Sequence, residues 1–276
     1  MEQSRTHSRV FMQVTFIQSL LLASLIAFFS IMEFVHRKEK RFAAPTRDDS
    51  LLELGAFVVL VLVMQPLTIF ASYQLAHVLI PEYQGSMQKW SWWLTLLTLF
   101  VADDMTQYWW HRLAHTSKLW PLHRPHHTAE YMSIRITFRN NFFYYLLMPS
   151  LWIAATLLYL GVDPCVSTFY LTLKLFVLLG AHSSWRWDEA LYKIPALQPL
   201  VWLLERTVST PATHWAHHAL TNEDGIGHYT GNYGNFLFLW DVLFGTALIT
   251  RQYPTHVGLQ EDLHIAGQPW YRQLFF

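Results

Sequence analysis

Formal charge is missing, one lysine apart, from five long stretches of this chain, and these stretches outline its architecture. The first runs from Val10 to Met32, 23 residues. As a helix it extends about 34 Å, more than a hydrocarbon core of roughly 30 Å. A cleavable signal peptide would have a shorter apolar core and a small-residue cleavage site. This run instead leads into His36-Arg37-Lys38-Glu39-Lys40-Arg41, a stop-transfer pattern, and reads as a retained span. Leu54 to Ile80 is the second stretch, interrupted by Pro66, which a membrane helix tolerates. The third starts at Trp90 and stays apolar to Ala102. Asn141–Leu160 and Cys165–Gly180 flank Gly161-Val162-Asp163-Pro164, a turn signature that predicts a helical hairpin. Lys174, inside the second arm, reads as snorkelling or facing a protein partner. The pattern predicts an all-α integral membrane protein with about four to five transmembrane helices.

Orientation follows from Lys and Arg. Arg37, Lys38, Lys40, Arg41 and Arg47 follow the first span, Arg5 and Arg9 precede it, and residues 81–89 hold only Lys89. The positive-inside rule makes the 36–50 segment cytoplasmic and the 81–89 loop external. Threading forward returns residues 111–140 to the cytoplasm, sends the hairpin out and back, and leaves everything from His182 onward cytoplasmic. The expected compartment is a bacterial inner membrane or the endoplasmic reticulum.

Composition agrees. Apolar residues make up 53% and charged residues 14%, against about 45–50% and about 25% in ordinary globular chains, too little charge to coat a soluble surface. With 19 basic and 19 acidic side chains, the basic excess that nucleic-acid binding demands is missing. A single cysteine, Cys165, excludes an intrachain disulfide framework and a thiolate metal cluster.

Histidine is the outlier, with 15 in the chain. His111 and His115 stand four apart, on one helix face. His123, His126 and His127 form a second box, and His214, His217 and His218 a third. Each of these triplets covers an arc of about 100°, wide enough for two neighbouring metal ions to share. The threading, which ignored histidine, puts all three boxes on one side of the membrane. Thr210 and Pro211 are helix-start signals for the third box. Pro121 can start a helix for the second, but Pro125 predicts an irregular or freshly started one. Imidazole-only ligation suits iron, zinc, copper or nickel and not magnesium or calcium.

Membrane spans with boxes of this spacing and order resemble the fatty acid hydroxylase / sterol desaturase superfamily. So do Asp103-Asp104 followed by Tyr108-Trp109-Trp110-His111-Arg112, the Leu119–His123 run and Thr210-Pro211. The tail from Asn232-Tyr233-Gly234-Asn235 through Trp240-Asp241 to Phe244-Gly245-Thr246 completes the likeness, which covers roughly residues 95–250. The resemblance implies a polyhistidine site for two iron ions in a cytoplasmic helical cap. It implies an oxidoreductase that uses O2 and two electrons to hydroxylate or desaturate a C–H bond of a lipid, either a sterol or a fatty acyl chain. A ninth ligand is expected after the hairpin, where His182 stands; the superfamily's usual His-Ser-Asn is here His182-Ser183-Ser184. His228 is a possible tenth. Zinc, which outranks ferrous iron in affinity, is expected to replace it after overexpression. Electrons are expected from a separate protein such as a cytochrome b5, a ferredoxin or a reductase.

Asp104 and Tyr108 are the candidate catalytic-site residues besides the histidines. At about 100° per residue, Asp104 lies about 20° from both His111 and His115, and Asp103 about 80° from His111. Asp104 is therefore expected to accept a ring N–H from a ligand histidine, with Asp241 and Asn235 as candidates for the same role from the far side. The alternative for the two aspartates is a polar boundary at the membrane interface. The expected layout is a transmembrane region over 1–94, a catalytic region over 95–250 and a cytoplasmic tail over 251–276. A histidine-rich metal transporter would hold its ligands near the midplane on broken helices, whereas these boxes lie outside the apolar runs. A zinc-dependent lipid hydrolase would need about three protein ligands and a general base, not nine histidines.

Overall fold

The computed structural model describes residues 2–36, 43–259 and 268–276, with side chains from Phe16 onward. Arg37 to Arg41, the side chains of Arg5, His7 and Arg9, and His264 lie outside that description. The regular elements among the described residues are helices, with one isolated β-bridge between Ala219 and Val257.

Helix α1 spans Glu2–Val35 and α2 spans Arg47–Leu79. The buried stripe of α2 is Leu52, Ala56, Leu60, Met64, Thr68, Ser72 and Ala76, while Leu54, Val58, Leu62, Phe70 and Val78 face outward. From Thr68 to Ala76 the buried residues are small or polar and the outward ones large and apolar, the pattern of a helix whose solvent is lipid. The stripe recurs every fourth residue, so on a straight α-helix of 3.6 residues per turn it would precess. A π-helical turn at Leu60–Met64 takes up part of the difference. That wider turn ends just before Pro66, whose ring could not continue a regular hydrogen-bond ladder.

Helix α3 runs over 92–114, with a second π-helical stretch at Leu99–Met105. The rest are α4 (Trp120–His127), α5 (Phe142–Leu147), α6 (Pro149–Tyr159), α7 (Pro164–His182), α8 (Trp187–Tyr192), α9 (Gln198–Thr207), α10 (Pro211–His217), α11 (Leu239–Phe244) and α12 (Trp270–Phe275). Among the described residues, three helices combine the length and apolarity of a membrane span: Phe16–Val35 of α1, α2 and α7. The others counted from the sequence fall short singly. Helix α3 has the length but carries Asp103, Asp104 and a histidine box in its second half, and α6, with 11 residues, extends only about 16 Å.

The turn between α6 and α7 forms where expected. Gly161 adopts φ +82°, and the Asp163 carboxylate accepts the N–H groups of Cys165 and Val166 at 2.9 Å. The hairpin's arms, however, are not each other's main partners. Helix α6 packs on α2, α7 packs on α1, and α3 contacts both α6 and α7. The wedge is held by polar groups in an apolar setting: Asp103 of α3 accepts from Lys174 at 2.5 Å and from the Tyr170 hydroxyl at 2.6 Å, both on α7. Lys174 thus faces protein, paired.

The ends of the helices fall into two sets. Glu33 near the end of α1 accepts the N–H groups of Ile134 and Ser184, and Asp49 at the start of α2 pairs with Arg139. Together with the last turns of α3 and α7, these ends meet the cap of α4, the 3-10 turn Ile134–Phe138 and α8–α12. At the other end, the N–H groups of Gly85 and Met87 bond to the carbonyls of Tyr159 and Leu160. The described residues after 250 are built into the cap: Arg251 forks onto the buried carboxylate of Glu205, Tyr253 packs on Trp215, and Leu274 is buried against α2.

Candidate metal centre

Four elements deliver nine imidazoles to one place. The last turn of α3 carries His111 and His115, α4 carries the second box, α7 ends on His182, and α10 carries the third box. Helix α10 starts as its sequence predicts. Thr210 and Thr213 cap each other's backbone N–H groups, Pro211 occupies the first helical position, and the buried Asp188 carboxylate accepts the Ala212 N–H at 2.9 Å. Helix α4 is short, Trp120–His127, with Pro125 in its last turn, so that proline costs one hydrogen bond near a helix end.

The imidazoles fall into two groups, each with its ligand atoms within 4.8 Å of one another. One holds His111, His115, His123, His127 and His217; the other holds His126, His182, His214 and His218. Every histidine expected as a ligand is in one of them. The second and third boxes are each divided: the pair four residues apart faces one group and the third histidine faces the other. His228 lies in neither, with its Nε2 at 3.1 Å from the Thr246 carbonyl oxygen.

The proton positions follow from the partners. His111 Nδ1 lies 2.7 Å from the Tyr233 carbonyl oxygen, His217 Nδ1 2.7 Å from that of Gly231, His126 Nδ1 3.0 Å from that of Ile136, and His182 Nδ1 2.8 Å from that of Leu178. A carbonyl only accepts, so each Nδ1 carries the hydrogen, and in a neutral ring Nε2 is then a bare lone pair. The rings of the second and third boxes are neutral: burial first, and mutual repulsion between imidazoles with it, holds His123, His126, His127, His214, His217 and His218 well below the usual histidine range.

Yet His217 Nε2 faces His111 Nε2 at 3.0 Å, and His182 Nε2 faces His126 Nε2 at 3.3 Å. Two lone pairs at that separation repel unless a cation lies between them. Two nitrogens about 2.1 Å from one ion, at angles between square and tetrahedral, sit roughly 3.0–3.4 Å apart. Each group contains one such forced pair, and His115 Nε2 in the larger group is buried with no hydrogen-bond partner. The donor set, all neutral nitrogen, fits a transition metal in each group.

The support around the rings differs from the expectation for Asp104. Its carboxylate accepts the Leu237 N–H at 3.2 Å and the Trp240 indole N–H at 2.8 Å, with no imidazole N–H among its hydrogen bonds. The reason is depth. Seven residues separate Asp104 from His111, about 10 Å along the helix, and the 237–240 segment fills the gap. Tyr108 also stands one layer back, its hydroxyl at 2.9 Å from Thr246 Oγ1 and 3.3 Å from Arg112. Thr246 donates to Asp241, whose carboxylate also accepts the N–H groups of Tyr233 and Gly234 at 2.8 and 2.6 Å. Asp241 therefore clamps the loop that offers the Tyr233 carbonyl to His111, and burial pushes its carboxyl up to about 6. Sequence reasoning missed Asn140, whose side-chain oxygen lies 2.8 Å from His123 Nδ1. It also missed Arg139, buried beneath the second box. Arg139-Asn140-Asn141, a polar run opening an apolar stretch, was the available signal.

A helical membrane bundle capped by two imidazole clusters, each able to hold a metal ion, defines the class. The chain belongs to the fatty acid hydroxylase family, whose profile matches residues 96–246. It is similar to alkylglycerol monooxygenases: 31% identical over 160 residues to that of Danio rerio, 30% over 161 to that of Xenopus tropicalis and 29% over 160 to that of Homo sapiens. Each match covers 57% of this chain and 30% of the relative, so the alignment spans under a third of the curated relatives' length. No solved structure matches the chain significantly.

Proposed function

We propose that the chain is a membrane-bound di-iron monooxygenase that hydroxylates a C–H bond of a lipid, with residues 95–250 as its catalytic region. The observation that carries this reading is the pair of imidazole clusters, each with bare nitrogens forced together. His111, His115, His123, His127 and His217 would hold one iron, and His126, His182, His214 and His218 the other. When bound, the pair would activate O2 with two electrons supplied from outside. The chain's own part is to keep nine rings neutral, to orient them through carbonyls and Asn140, and to hold the centre in a buried setting. Asp104, Tyr108 and Asp241 position the loops behind the rings. The relatives' name favours hydroxylation over desaturation and an alkylglycerol, a glycerol ether lipid, over a sterol. The boxes are proposed to face the cytoplasm.

The test is an incubation of iron-loaded protein in lipid nanodiscs with an alkylglycerol, a reductant and isotopically labelled dioxygen. The expected product carries one labelled oxygen atom. A product merely lacking two hydrogens would make the enzyme a desaturase, and turnover equally well supported by zinc without a reductant would make it a hydrolase.

A further inference from the structure

Part of the cap surface is short of charge. Between Lys193 and Glu205 the chain has no formal charge, and between Asp224 and Arg251 it has only Asp241, which is buried. Both stretches carry exposed apolar side chains. On α9, Val201 and Glu205 are buried, while Leu200, Trp202 and Leu203 turn outward; on α11, Val242, Leu243 and Phe244 do the same, each of the six 38–61% exposed. The two helices are in contact. Their apolar surface continues onto the outer face of α3, where the ring centre of Phe244 is 4.9 Å from that of Trp109, itself exposed.

Depth identifies what that surface meets. Phe236, shortly before α11, has its ring centre 6.0 Å from that of Phe100 on α3 and 5.9 Å from that of Tyr170 on α7. Phe100 precedes His111, and Tyr170 precedes His182, by three helical turns. On two independent helices the contact therefore falls roughly 15 Å from the imidazoles, well inside the apolar length of α7. The chain then climbs: Trp240 donates to Asp104 at 2.8 Å, and Phe244 packs on Tyr108 and Trp109, nearer His111. Non-helical backbone survives at such depth only where protein satisfies it, and here protein does. Asp104 accepts the Leu237 N–H, Asp241 accepts those of Tyr233 and Gly234, and Ser209 donates to the carbonyls of Gly234 and Phe236. On α9 the Arg206 guanidinium lies 4.4 Å over the Trp202 ring, a pairing of amphipathic aromatic and snorkelling cation that suits the edge of a bilayer.

We propose that residues 232–246 form a re-entrant segment, which dips against α3 and α7 and returns to the cap, and that α9 and α11 lie in the bilayer surface with Leu200, Trp202, Leu203, Val242, Leu243 and Phe244 against lipid. The leaflet is the one on the side of the imidazole clusters. The chain after His182 then stays on one side of the membrane without lying wholly in water. The loop that offers the Tyr233 carbonyl to His111 is thereby anchored in the membrane. None of this depends on which metal the clusters hold.

The experiment uses the full chain in phosphatidylcholine nanodiscs. On a Cys165→Ser background, Leu203→Cys and Leu243→Cys each carry an environment-sensitive fluorophore, beside Phe70→Cys on the outward face of α2 and Glu223→Cys on the exposed cap. The labels at Leu203 and Leu243 should behave like the one at Phe70. Their emission should shift to the blue, with quenching by nitroxide-bearing lipid about threefold stronger than at Glu223 and quenching by aqueous iodide about threefold weaker. Because a label can disturb the face that carries it, the unmodified protein is also photolysed with diazirine-tagged phosphatidylcholine, which should mark peptides of α9 and α11 as well as those of α2. Iodide quenching at Leu203 and Leu243 equal to that at Glu223 would overturn the proposal. Blue-shifted emission insensitive to both quenchers would do so too, since a second copy or another protein would then cover the face. So would lipid tags confined to the spanning helices. Neither measurement reads metal or turnover, so these failures would leave the di-iron reading untouched.

Discussion

Replacing Arg139 should loosen the metal centre without touching any of its rings. The guanidinium is 1% exposed. Its Nε donates to the Pro125 carbonyl at 2.8 Å, its Nη2 to Thr128 Oγ1 at 2.8 Å, and its Nη1 to Asp49 at 2.5 Å. Glu53 is 4.0 Å away. One side chain therefore ties the last turn of α4, which holds His126 and His127, to the start of α2. In Arg139→Gln the carbonyl and hydroxyl lose donors and Asp49 loses its cation, while Glu53 keeps Arg135 at 2.6 Å. Breaking a buried pair costs about 3–5 kcal/mol, and an orphaned carbonyl about 1–3 more. Asp49, at 18% exposed, recovers part of this by hydration, which leaves about 3–5 kcal/mol in all. That corresponds to a fall in Tm of roughly 10 °C. Arg139→Lys keeps the charge but cannot fork to Pro125 and Asp49 together, so it should fall between. The assay is metal retained per chain after a fixed exposure to chelator, beside Tm in the same detergent. Arg139→Gln with unchanged Tm would refute the energetics, and a lowered Tm with full metal retention would refute the positioning role.

Other outcomes follow from the same geometry. His111→Ala and His182→Ala strike different groups, so each should lower metal from about two ions per chain toward one and the double variant toward none, as elemental analysis would show. Losses equal to the double variant from either single change would mean that the groups do not bind independently. Asp241→Asn turns an amide N–H toward the Gly234 N–H, and should cost about tenfold to a hundredfold in metal affinity, read by competition with a coloured chelator; wild-type affinity would count against the clamp on the Tyr233 loop. Single cysteines at Lys118 and Glu223 should label from one side of the membrane and one at Gln84 from the other. Labelling of Glu223 and Gln84 from the same side would break the threading.

The chemistry of the site was legible because histidine is rare enough for its spacing to carry information. The boxes and His182 are all visible in the primary structure, and so are the Thr210-Pro211 start of α10 and the Gly161–Pro164 turn before α7. What supports the rings was mostly not legible. Four Nδ1 acceptors are main-chain carbonyls, of Tyr233, Gly231, Ile136 and Leu178, and every residue has one. The insertion of α3 between α6 and α7 was hidden for a related reason. A short Gly-Asp-Pro turn guarantees that the chain reverses, but not that nothing enters between the arms. Helix phase gave Asp104 the right face and the wrong partner, since angle says nothing about a separation of two turns.

The neighbouring aspartates show how one helix serves both solvents. Asp103 turns to Lys174 and Tyr170 of α7, within the apolar bundle, and Asp104 turns to Leu237 and Trp240, below the loop that clamps His111. Adjacent on α3, they point about 100° apart and do separable work. Asp103→Asn leaves a lysine without its counter-ion among apolar helices, a loss of about 3–5 kcal/mol, and should lower Tm more than metal retention. Asp104→Asn exchanges one acceptor for a donor facing Trp240 and should do the reverse. An interface boundary made of two equivalent carboxylates would give two equal variants. Measuring both properties on both proteins separates these accounts, and matched Tm losses with matched metal losses would leave the boundary as the better explanation of the pair.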